Sequence, residues 1–248
     1  MIALCTDFGL GGPYTGQVKA VLARMAPQVP VVDLFADLPA FSPQLAAYLL
    51  AAYARHFEPG DVIVAVVDPG VGSARRALVV EADGLWLTGP DNGLFEPILR
   101  RANAWRAWPI EVPAEEGISA TFHGRDVFAP AAARLALGEE PHGQQVVPTR
   151  FPDWPDDLAA IVYVDHYGNA MTGLRAASLA ANTVLEAAGQ RIARQRIFAD
   201  VPPGGALWYE NANGLAEIAV NGGSAAAMLG LAPGNPVTVH AGGTEKAL

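Results

Sequence analysis

The sequence contains almost no cysteine: Cys5 is the only one in 248 residues. A single cysteine excludes an internal disulfide and a zinc site built from cysteines. Its place in an apolar stretch predicts a small buried side chain. Histidine is also scarce, with five residues. None of them has H-E-x-x-H spacing or lies in a His/Asp cluster, so we expect no tightly bound metal.

Positive charge is in deficit as well, with 16 Lys and Arg against 25 Asp and Glu and a net charge of -9. This balance argues against a nucleic-acid partner or an anionic membrane surface, both of which need clustered basic residues. No apolar run approaches the ~20 residues that span a bilayer. The first residues, MIALCTDFG, lack the basic segment and long apolar run of a signal peptide. We therefore expect a cytoplasmic protein with no membrane partner.

The first half of the chain alternates predicted strands with predicted helices. Strands are expected at Ile2–Thr6, Val29–Leu34 and Val62–Val67, with a helix over Tyr14–Met25 and another that begins at Pro43. This alternation is typical of βαβ units and a parallel sheet. We assign residues 1–140 to an N-terminal Rossmann-like α/β domain.

Three further elements are expected before residue 140. Asp83-Gly84 predicts a tight hairpin between strands Ala77–Ala82 and Leu85–Thr88. A short helix around Leu94–Arg101 and an alanine-rich helix over Val127–Leu137 follow it along the chain.

Residues 138–157 contain four prolines and few apolar runs, which is typical of a linker. We place the linker at residues 141–158 and a smaller C-terminal domain at 159–248. That domain is rich in predicted strands separated by Gly, Asn and Pro turns, as in a small barrel or sandwich. Its expected strands are Ala160–Asp165, Thr183–Ala187, Ala206–Glu210, Leu215–Val220 and Val237–His240, with one short helix at Ser224–Leu229.

Two carboxylates follow predicted strands, where open α/β sheets bind ligands. Asp68 ends Val62–Val67 and begins a glycine-rich turn that reaches Arg75, so the pair is either part of a site or a solvated ion pair. Asp7 ends the first strand and is either a ligand for a ribose diol or a helix N-cap. His123, between Phe122 and Gly124, is the most suggestive histidine.

Three common site motifs are absent. The loop Gly9-Leu10-Gly11-Gly12 lacks the G-x-G-x-x-G spacing of dinucleotide sites, and no Lys-Ser or Lys-Thr pair follows it. No G-x-S-x-G elbow is present, which argues against a serine hydrolase.

Two polar turns are expected in the C-terminal half. Asp165 and Asn169 either bind a polar ligand or form an Asx turn in which Gly168 supplies a positive φ. The second is Asn211-Ala212-Asn213-Gly214, which either contacts a ligand or forms a hairpin turn, since Asn-Gly favours type I′.

Taken together, five spaced motifs resemble one known family. They are Thr6-Asp7-Phe8-Gly9, Val67-Asp68-Pro69-Gly70-Val71-Gly72 with Arg75, Phe122-His123-Gly124-Arg125-Asp126, Val164-Asp165-His166-Tyr167-Gly168-Asn169, and Asn213-Gly214 followed by Glu217-Ile218-Ala219. The chain resembles the S-adenosyl-L-methionine hydroxide adenosyltransferases, or SAM hydrolases, which are relatives of a fluorinase and a chlorinase. The resemblance covers nearly the whole chain in the expected order.

The resemblance implies an N-terminal α/β domain and a C-terminal β-barrel-like domain. It implies that S-adenosyl-L-methionine is the substrate, that adenosine and L-methionine are the products, and that no cofactor is needed. It also implies a homotrimer in which the substrate lies between the N-terminal domain of one subunit and the C-terminal domain of its neighbour.

The hydrolases of this family carry an Asp-Arg-His set, which Asp68, Arg75 and His123 match here. The halogenases have Tyr at the histidine position, followed by a Ser that helps to bind halide, and this chain has Gly124 there. The resemblance therefore implies a hydrolase. A halogenase, a non-catalytic sensor of S-adenosylmethionine or adenosine, and a structural trimer are the alternatives.

The resemblance also implies binding roles for several other residues. Asp7 would bind the ribose hydroxyls, and Phe41 would pack near the reacting carbon. Asp165 and Asn169 would bind the methionine or adenine portion, and Phe198 would line the adenine site. The turn formed by Asn211, Ala212 and Asn213 would contact adenine and methionine, although the halogenases have Ser-Arg where this chain has Ala212-Asn213.

Overall fold

A computed structural model describes residues 1–112 and 118–241 of the chain. The chain divides into two compact units, Met1–Pro152 and Asp153–Leu248. The boundary falls within the predicted linker, and the residues before it are bound to the first unit. For example, the Val146 amide donates to the Ala107 carbonyl at 2.9 Å. In the described part of the chain, no helix is long and apolar enough to cross a membrane.

The first unit is built on one six-stranded mixed sheet. Its strands are β1 (Ile2–Thr6), β2 (Val31–Phe35), β3 (Val62–Val66), β4 (Ala77–Ala82), β5 (Leu85–Pro90) and β6 (Trp105–Ile110). Its α-helices are α1 (Tyr14–Met25), α2 (Pro43–Ala54), α3 (Glu96–Arg101) and α4 (Ala129–Ala136). β1 and β3 are buried along their whole length, as expected for strands covered on both faces of a sheet.

The strand order is β2-β1-β3-β5-β4-β6. β1 is parallel to β2 and β3, and β3 is parallel to β5, whereas β4 is antiparallel to both of its neighbours. The predicted α/β class is confirmed, with a sheet that is parallel only in part. The chain leaves β1 toward β2 on one side and returns to β3 on the other, so the topological switch point lies between β1 and β3. Ligands bind at such points in open α/β sheets, and Asp7 and Asp68 follow these two strands.

The helices of one face form a core with the sheet. Val18 and Leu22 of α1, Ala132 of α4 and Phe128 just before α4 pack with Ile2 and Val64 in one buried cluster. Burial of this apolar surface fixes the sheet edge from which the site loops emerge.

The hairpin predicted at Asp83-Gly84 is confirmed. Asp83 has φ 49° and Gly84 has φ 89°, as a type I′ turn requires. The alanine-rich helix is also confirmed, but it begins with a π-helical turn, Gly124–Phe128, before α4.

The second unit has two open antiparallel sheets. One has the order β11 (Ala206–Glu210), β12 (Leu215–Val220), β8 (Ala170–Arg175) and β7 (Leu158–Val164). The other has the order β10 (Gln190–Ala193), β9 (Val184–Ala187) and β13 (Thr238–His240). The expected barrel is not confirmed, because the strands described in this unit form no closed sheet. Helix α5 (Ala225–Leu229) lies where it was expected, and the Ser224 hydroxyl caps it by accepting from the Ala227 amide.

Candidate active site

Asp68 and Arg75 form a buried ion pair directly beyond β3. Arg75 Nε lies 3.0 Å from both carboxylate oxygens of Asp68, and Arg75 Nη2 also bonds to Oδ2. Only 4% of the Asp68 side chain and 10% of the Arg75 side chain are exposed. The alternative of a solvated pair on a turn is therefore wrong: both charges are held in a fixed fork geometry.

Gly72 lets the loop that carries this pair approach the loop that carries His123. Its φ is +78°, and a Cβ on Gly72 would lie 2.5 Å from the Ala120 carbonyl oxygen. Any other residue here would push the two loops apart.

His123 bonds to the same arginine. Arg75 Nη2 lies 2.9 Å from His123 Nδ1, and a guanidinium can only donate. Nδ1 is therefore the acceptor, and the proton of the neutral ring is on Nε2. Burial, and then the charge of Arg75, lower the pKa of His123 below its ordinary value. The imidazole is consequently neutral at pH 7.

A cavity of about 680 Å³ lies against these residues. Asp68 and His123 line it, but the guanidinium of Arg75 stays behind them. Its lining also includes four aromatic residues, of which Phe8, Tyr14 and Phe122 pack against one another and Phe41 is the fourth. Phe122 stands edge-on to Phe8 and Tyr14, with centroids 5.6 and 5.3 Å away. The pocket therefore has one apolar wall and one wall of charged or hydrogen-bonding groups, as small-molecule sites commonly do.

Asp7 lines the same cavity. It is not a helix N-cap, because α1 begins seven positions later, after Pro13. Its Oδ2 accepts a hydrogen bond from the Phe41 amide at 3.4 Å. Burial raises the pKa of Asp7, and the Asp68 charge raises it further. Phe41 has φ +59°, a strained backbone conformation of the kind found at functional sites. The residue is 79% exposed.

Gly124 is in direct contact with the aromatic wall. A Cβ on Gly124 would lie 2.8 Å from Phe8 Cζ and 3.5 Å from Phe122 Cε2. The ring of Phe8 thus fills the space that a side chain at position 124 would need.

The Asp126 carboxylate closes the loop of residues 119–126, which contains His123. We call its hydrogen bonds the Asp126 clamp. This carboxylate accepts from the Ser119 amide at 2.8 Å and from Arg125 Nε at 2.6 Å. Arg125 also donates to Gln17 on α1 at 2.9 Å and stacks on Phe122 at 5.1 Å. Asp126 and Arg125 therefore tie the loop to α1 and to the aromatic wall.

Asp165 and Asn169 in the second unit form an Asx turn. Asp165 Oδ1 accepts from the Tyr167 and Asn169 amides at 2.9 and 2.8 Å, and Asn169 Nδ2 donates to Asp165 Oδ2 at 3.1 Å. Gly168 has the expected positive φ, +83°, and a Cβ there would overlap the Ser224 side chain. The turn is real, and it fixes one carboxylate and one amide at the end of β7.

The Asn211–Gly214 segment is a hairpin loop between β11 and β12. Asn211 Oδ1 accepts from the Asn213 and Leu215 amides at 2.9 and 3.0 Å. The loop is not type I′, because Gly214 has a positive φ and Asn213 does not. Ala212 is exposed at its tip.

Behind this loop lies a buried acid, Glu217. It accepts from Tyr209 Oη at 2.5 Å and from Asn211 Nδ2 at 2.7 Å. Burial raises the pKa of Glu217, and burial followed by the bond to Glu217 raises that of Tyr209. Phe198 packs on Tyr209 with centroids 5.2 Å apart. Phe198 and the polar groups of this hairpin thus share one part of the second unit.

Sequence reasoning missed two contributors to these sites. In the sequence, Tyr14 is an ordinary first residue of a helix. Its place just after the glycine loop that follows the first strand could have indicated that it lines the cavity. Glu217 belongs to a matched motif, but its hydrogen bond to Tyr209 joins two strands and leaves no signal in the local sequence.

Across residues 1–112 and 118–241, no group of three His, Cys, Asp or Glu could hold a metal ion.

Family models match both halves of the chain. Residues 2–145 match the SAM hydroxide adenosyltransferase N-terminal domain, and residues 159–238 match the C-terminal domain. An (R)-S-adenosyl-L-methionine hydrolase of Thermus thermophilus is 43% identical, covering 94% of this chain and 96% of the relative. One from Salinispora arenicola is 41% identical, covering 97% and 98%.

More distant relatives also match over nearly the whole chain. A fluorinase of Nocardia brasiliensis is 23% identical, covering 98% of this chain and 97% of the relative. The crystal structure of an uncharacterized conserved protein from Thermotoga maritima superposes with a TM-score of 0.86 at 28% identity, covering 97% and 100% of the two chains.

Proposed function

Because the chain belongs to the SAM hydroxide adenosyltransferase family, we propose that it hydrolyses S-adenosyl-L-methionine to adenosine and L-methionine. The observation that carries the proposal is the buried Asp68–Arg75–His123 chain of hydrogen bonds at the cavity. These are the three residues that the hydrolases of the family are expected to carry.

The proposed reaction is an in-line displacement at C5′ of the substrate. Oxygen of a water molecule forms a bond to C5′, the C5′–S bond breaks, and its electron pair stays on sulfur. The sulfonium leaves as a neutral thioether, so the leaving group needs neither a proton nor a metal. The protein must therefore place one water opposite sulfur and receive its proton.

Asp68 is the proposed partner of that water. Its carboxylate lines the cavity, and its Oδ2 takes the short bond from Arg75 Nη2. Oδ1 shares only the Nε proton, at 3.0 Å, so it retains lone pairs for a water O–H. Asp68 would orient the water, accept its proton as the C–O bond forms, and pass that proton to solvent.

Arg75 and His123 would act by fixed electrostatics and not as bases. Arg75 stays protonated and stabilises negative charge that develops between the water and Asp68. Because Arg75 occupies Nδ1 of His123, the ring offers Nε2–H, a hydrogen-bond donor. His123 would use it to orient the water or the 5′ oxygen. General-base help from Asp68 would typically supply about 10²–10⁴-fold, and exclusion of bulk water by the aromatic wall would add to it.

The substrate contacts proposed in the first unit are Asp7 and Phe41, which both line the cavity. Asp7, at the end of β1, would accept hydrogen bonds from both ribose hydroxyls. Phe41, exposed beside Asp7, would close over the ribose and the reacting carbon.

The remaining substrate contacts are proposed in the second unit. Asp165 and Asn169 would bind the methionine or adenine portion, and Phe198 would stack on adenine. The loop Asn211, Ala212 and Asn213 would contact both portions, although most of the Asn211 and Asp165 groups already serve their own turns.

We propose that the protein is a homotrimer in which the first unit of one subunit and the second unit of its neighbour share a substrate. Large exposed apolar side chains support this assembly: Leu10 is 81% exposed, Phe41, which lines the cavity, is 79% exposed, and Tyr167 in the second unit is 77% exposed. Light scattering after size-exclusion chromatography tests the subunit count. A location in the cytoplasm is proposed as well, since so polar a substrate does not cross a bilayer unaided.

The decisive experiment is incubation with S-adenosyl-L-methionine in ¹⁸O-water, followed by chromatography and mass spectrometry. We expect adenosine and L-methionine in equal amounts, with the label at the 5′ oxygen of adenosine. A parallel reaction with fluoride or chloride tests halogenation, which would yield a 5′-halo-5′-deoxyadenosine. Binding of S-adenosylmethionine without product would instead indicate a sensor, and neither binding nor product a structural trimer.

Asp68→Ala and His123→Ala test the roles of the two cavity-lining side chains. Both should slow methionine release strongly, with smaller effects on substrate binding. Unchanged turnover in both variants would remove the proposed set of three.

A further inference from the structure

Both ends of the loop that carries Asp68 and Arg75 are fastened to a single turn, Asp91-Asn92, which follows β5. At the start of the loop, Asn92 Nδ2 donates to the Val67 carbonyl at 2.9 Å. At its end, the Asp91 amide donates to the Arg76 carbonyl at 3.0 Å. The two catalytic candidates are thus held between two anchor points on neighbouring residues.

The side chain of Asp91 reinforces the second anchor. It is only 3% exposed and accepts from Arg76 Nε at 2.8 Å. It also accepts from the Thr149 amide at 2.8 Å and the Thr149 hydroxyl at 3.0 Å. Arg76 in turn donates to the Val147 carbonyl at 2.9 Å. The residue next to Arg75 is therefore fixed in place from both sides.

The orientation of the Asn92 amide is also fixed. Its Oδ1 accepts from the Leu94 amide at 3.4 Å, so Nδ2 is the atom that faces Val67. The peptide that it holds is the one immediately before Asp68. A shift of this peptide displaces the Cα of Asp68, and with it the carboxylate whose rotamer is held by the bonds from Arg75.

Neither Asp91 nor Asn92 lines the cavity, so neither can touch the substrate there. We infer that Asn92 and Asp91 are positioning residues that set the geometry of the Asp68–Arg75 pair. The inference rests on the proposed hydrolysis of S-adenosylmethionine. A reacting group that is misplaced by about 1 Å can cost on the order of 10²-fold in rate, so the turn has a kinetic role beyond stability.

The test compares Asn92→Asp and Asn92→Ala with a matched control, Asn103→Ala. Asn92→Asp keeps the size and the acceptor for Leu94 but removes the donor to Val67. Asn103 also donates through its side-chain amide, to Asp83 at 3.3 Å, in an exposed turn outside the cavity. We expect both Asn92 variants to lose about 10–100-fold in kcat, with KM changed little, while the control matches the wild type.

A double-mutant cycle separates positioning from general destabilisation. If Asn92 acts through Asp68, Asn92→Ala should cost little further activity in an Asp68→Ala background. An equal cost in both backgrounds, or unchanged kcat in the Asn92 variants, would overturn the inference.

A measurement that needs no turnover completes the test. Hydrogen exchange of the Arg75 Nε–H, followed by NMR, should accelerate in Asn92→Asp and stay unchanged in Asn103→Ala. Unchanged exchange in Asn92→Asp argues against positioning whatever the substrate. A wild-type protein that releases neither adenosine nor methionine would overturn the proposed function instead, so the two failures are distinguishable.

Discussion

Nη2 of Arg75 lies 2.9 Å from Nδ1 of His123, while the same guanidinium holds Asp68 through Nε. Because arginine only donates, this one contact fixes which nitrogen of the imidazole carries the proton. It also removes His123 from the candidates for proton acceptor, since the nitrogen with a free lone pair is already bound. The carboxylate of Asp68, which is bonded to the same arginine as His123 and lines the cavity, is the remaining candidate base.

The first prediction is the tautomer itself. Long-range ¹H–¹⁵N NMR should show His123 as neutral Nε2–H at pH 7, with Nδ1 shifted as an acceptor. In Arg75→Gln the fixed donor is weakened, and the ring should populate both tautomers. A wild-type ring that is mainly Nδ1–H would contradict the assignment.

The second prediction is the acidic limit of activity. Burial and the Arg75 charge lower the pKa of His123 from 6.5, so the neutral ring persists below pH 6.5 and is lost only as the pH falls through the lowered value. If the acidic limb of kcat/KM reports this ring, it should lie below pH 6.5. Arg75→Gln removes the repulsive charge and should move the limb to higher pH. His142→Ala, outside the cavity, should leave it in place, and a wild-type limb above pH 6.5 would contradict the prediction.

Local patterns predicted much of the fold. α1, β11 and β12 have the bounds expected from the sequence, because their periodicity and flanking turns lie within the segments themselves. Three strands were missed, β6, β8 and β10, and the first two lack such signals. β6 is an edge strand that contains Pro109, and β8 contains Gly173, which packs closely on Leu158. β6 pairs with β4, and β8 pairs with β12 as well as with the neighbouring β7, so each has a partner that is distant along the chain.

The site, like the fold, was predicted only where the signal is local. Asp68, Arg75 and His123 belong to motifs that mark them as functional, and the structure brings them together. The direction of their hydrogen bonds depends on the contact between two loops, which Gly72 permits. The support from Asn92 has no signal in the local sequence, because its partner at Val67 lies at the end of a neighbouring strand. Sequence reasoning thus named the candidate groups that the structure brings together, but not what orients them.

The third prediction concerns Gly124→Ala. The added Cβ would lie 2.8 Å from Phe8 Cζ, so the ring of Phe8 must move within the aromatic wall. Such overpacking typically costs about 1–3 kcal/mol, and we expect kcat/KM to fall by about 10-fold or more because His123 is the preceding residue. Adding Phe8→Leu should restore part of the loss. Full activity in Gly124→Ala alone would contradict the close packing.

A matched control for this substitution is Gly16→Ala. Gly16 lies within α1 with open space around its Cβ position. Alanine there should raise the free energy of unfolding by up to about 1 kcal/mol through helix propensity. Its kcat/KM should equal that of the wild type.

The fourth prediction concerns the Asp126 clamp. Asp126→Ala leaves the Ser119 amide without its acceptor and releases Arg125, which should lower the free energy of unfolding by about 1–3 kcal/mol. The bond from Arg125 lowers the pKa of Asp126 below 3.8. The stabilisation is therefore complete above that pH and is lost as the pH falls through the lower value. Urea titrations at pH 7 and well below pH 3.8 measure the difference, with Asp33→Ala, from an exposed pair with Lys19, as a control that should change little.

The last prediction follows from the charge balance of the proposed reaction. The substrate carries a sulfonium, an ammonium and a carboxylate, whereas adenosine is neutral and methionine is a zwitterion. Attack by water must therefore release one proton for each methionine formed, and Asp68 can hold that proton only transiently. A pH-stat at pH 6.5, where both amino groups stay protonated, should record one proton for each methionine measured by chromatography. Halide transfer consumes an anion and releases no proton, so product formation without acid release would contradict hydrolysis and favour attack by another nucleophile.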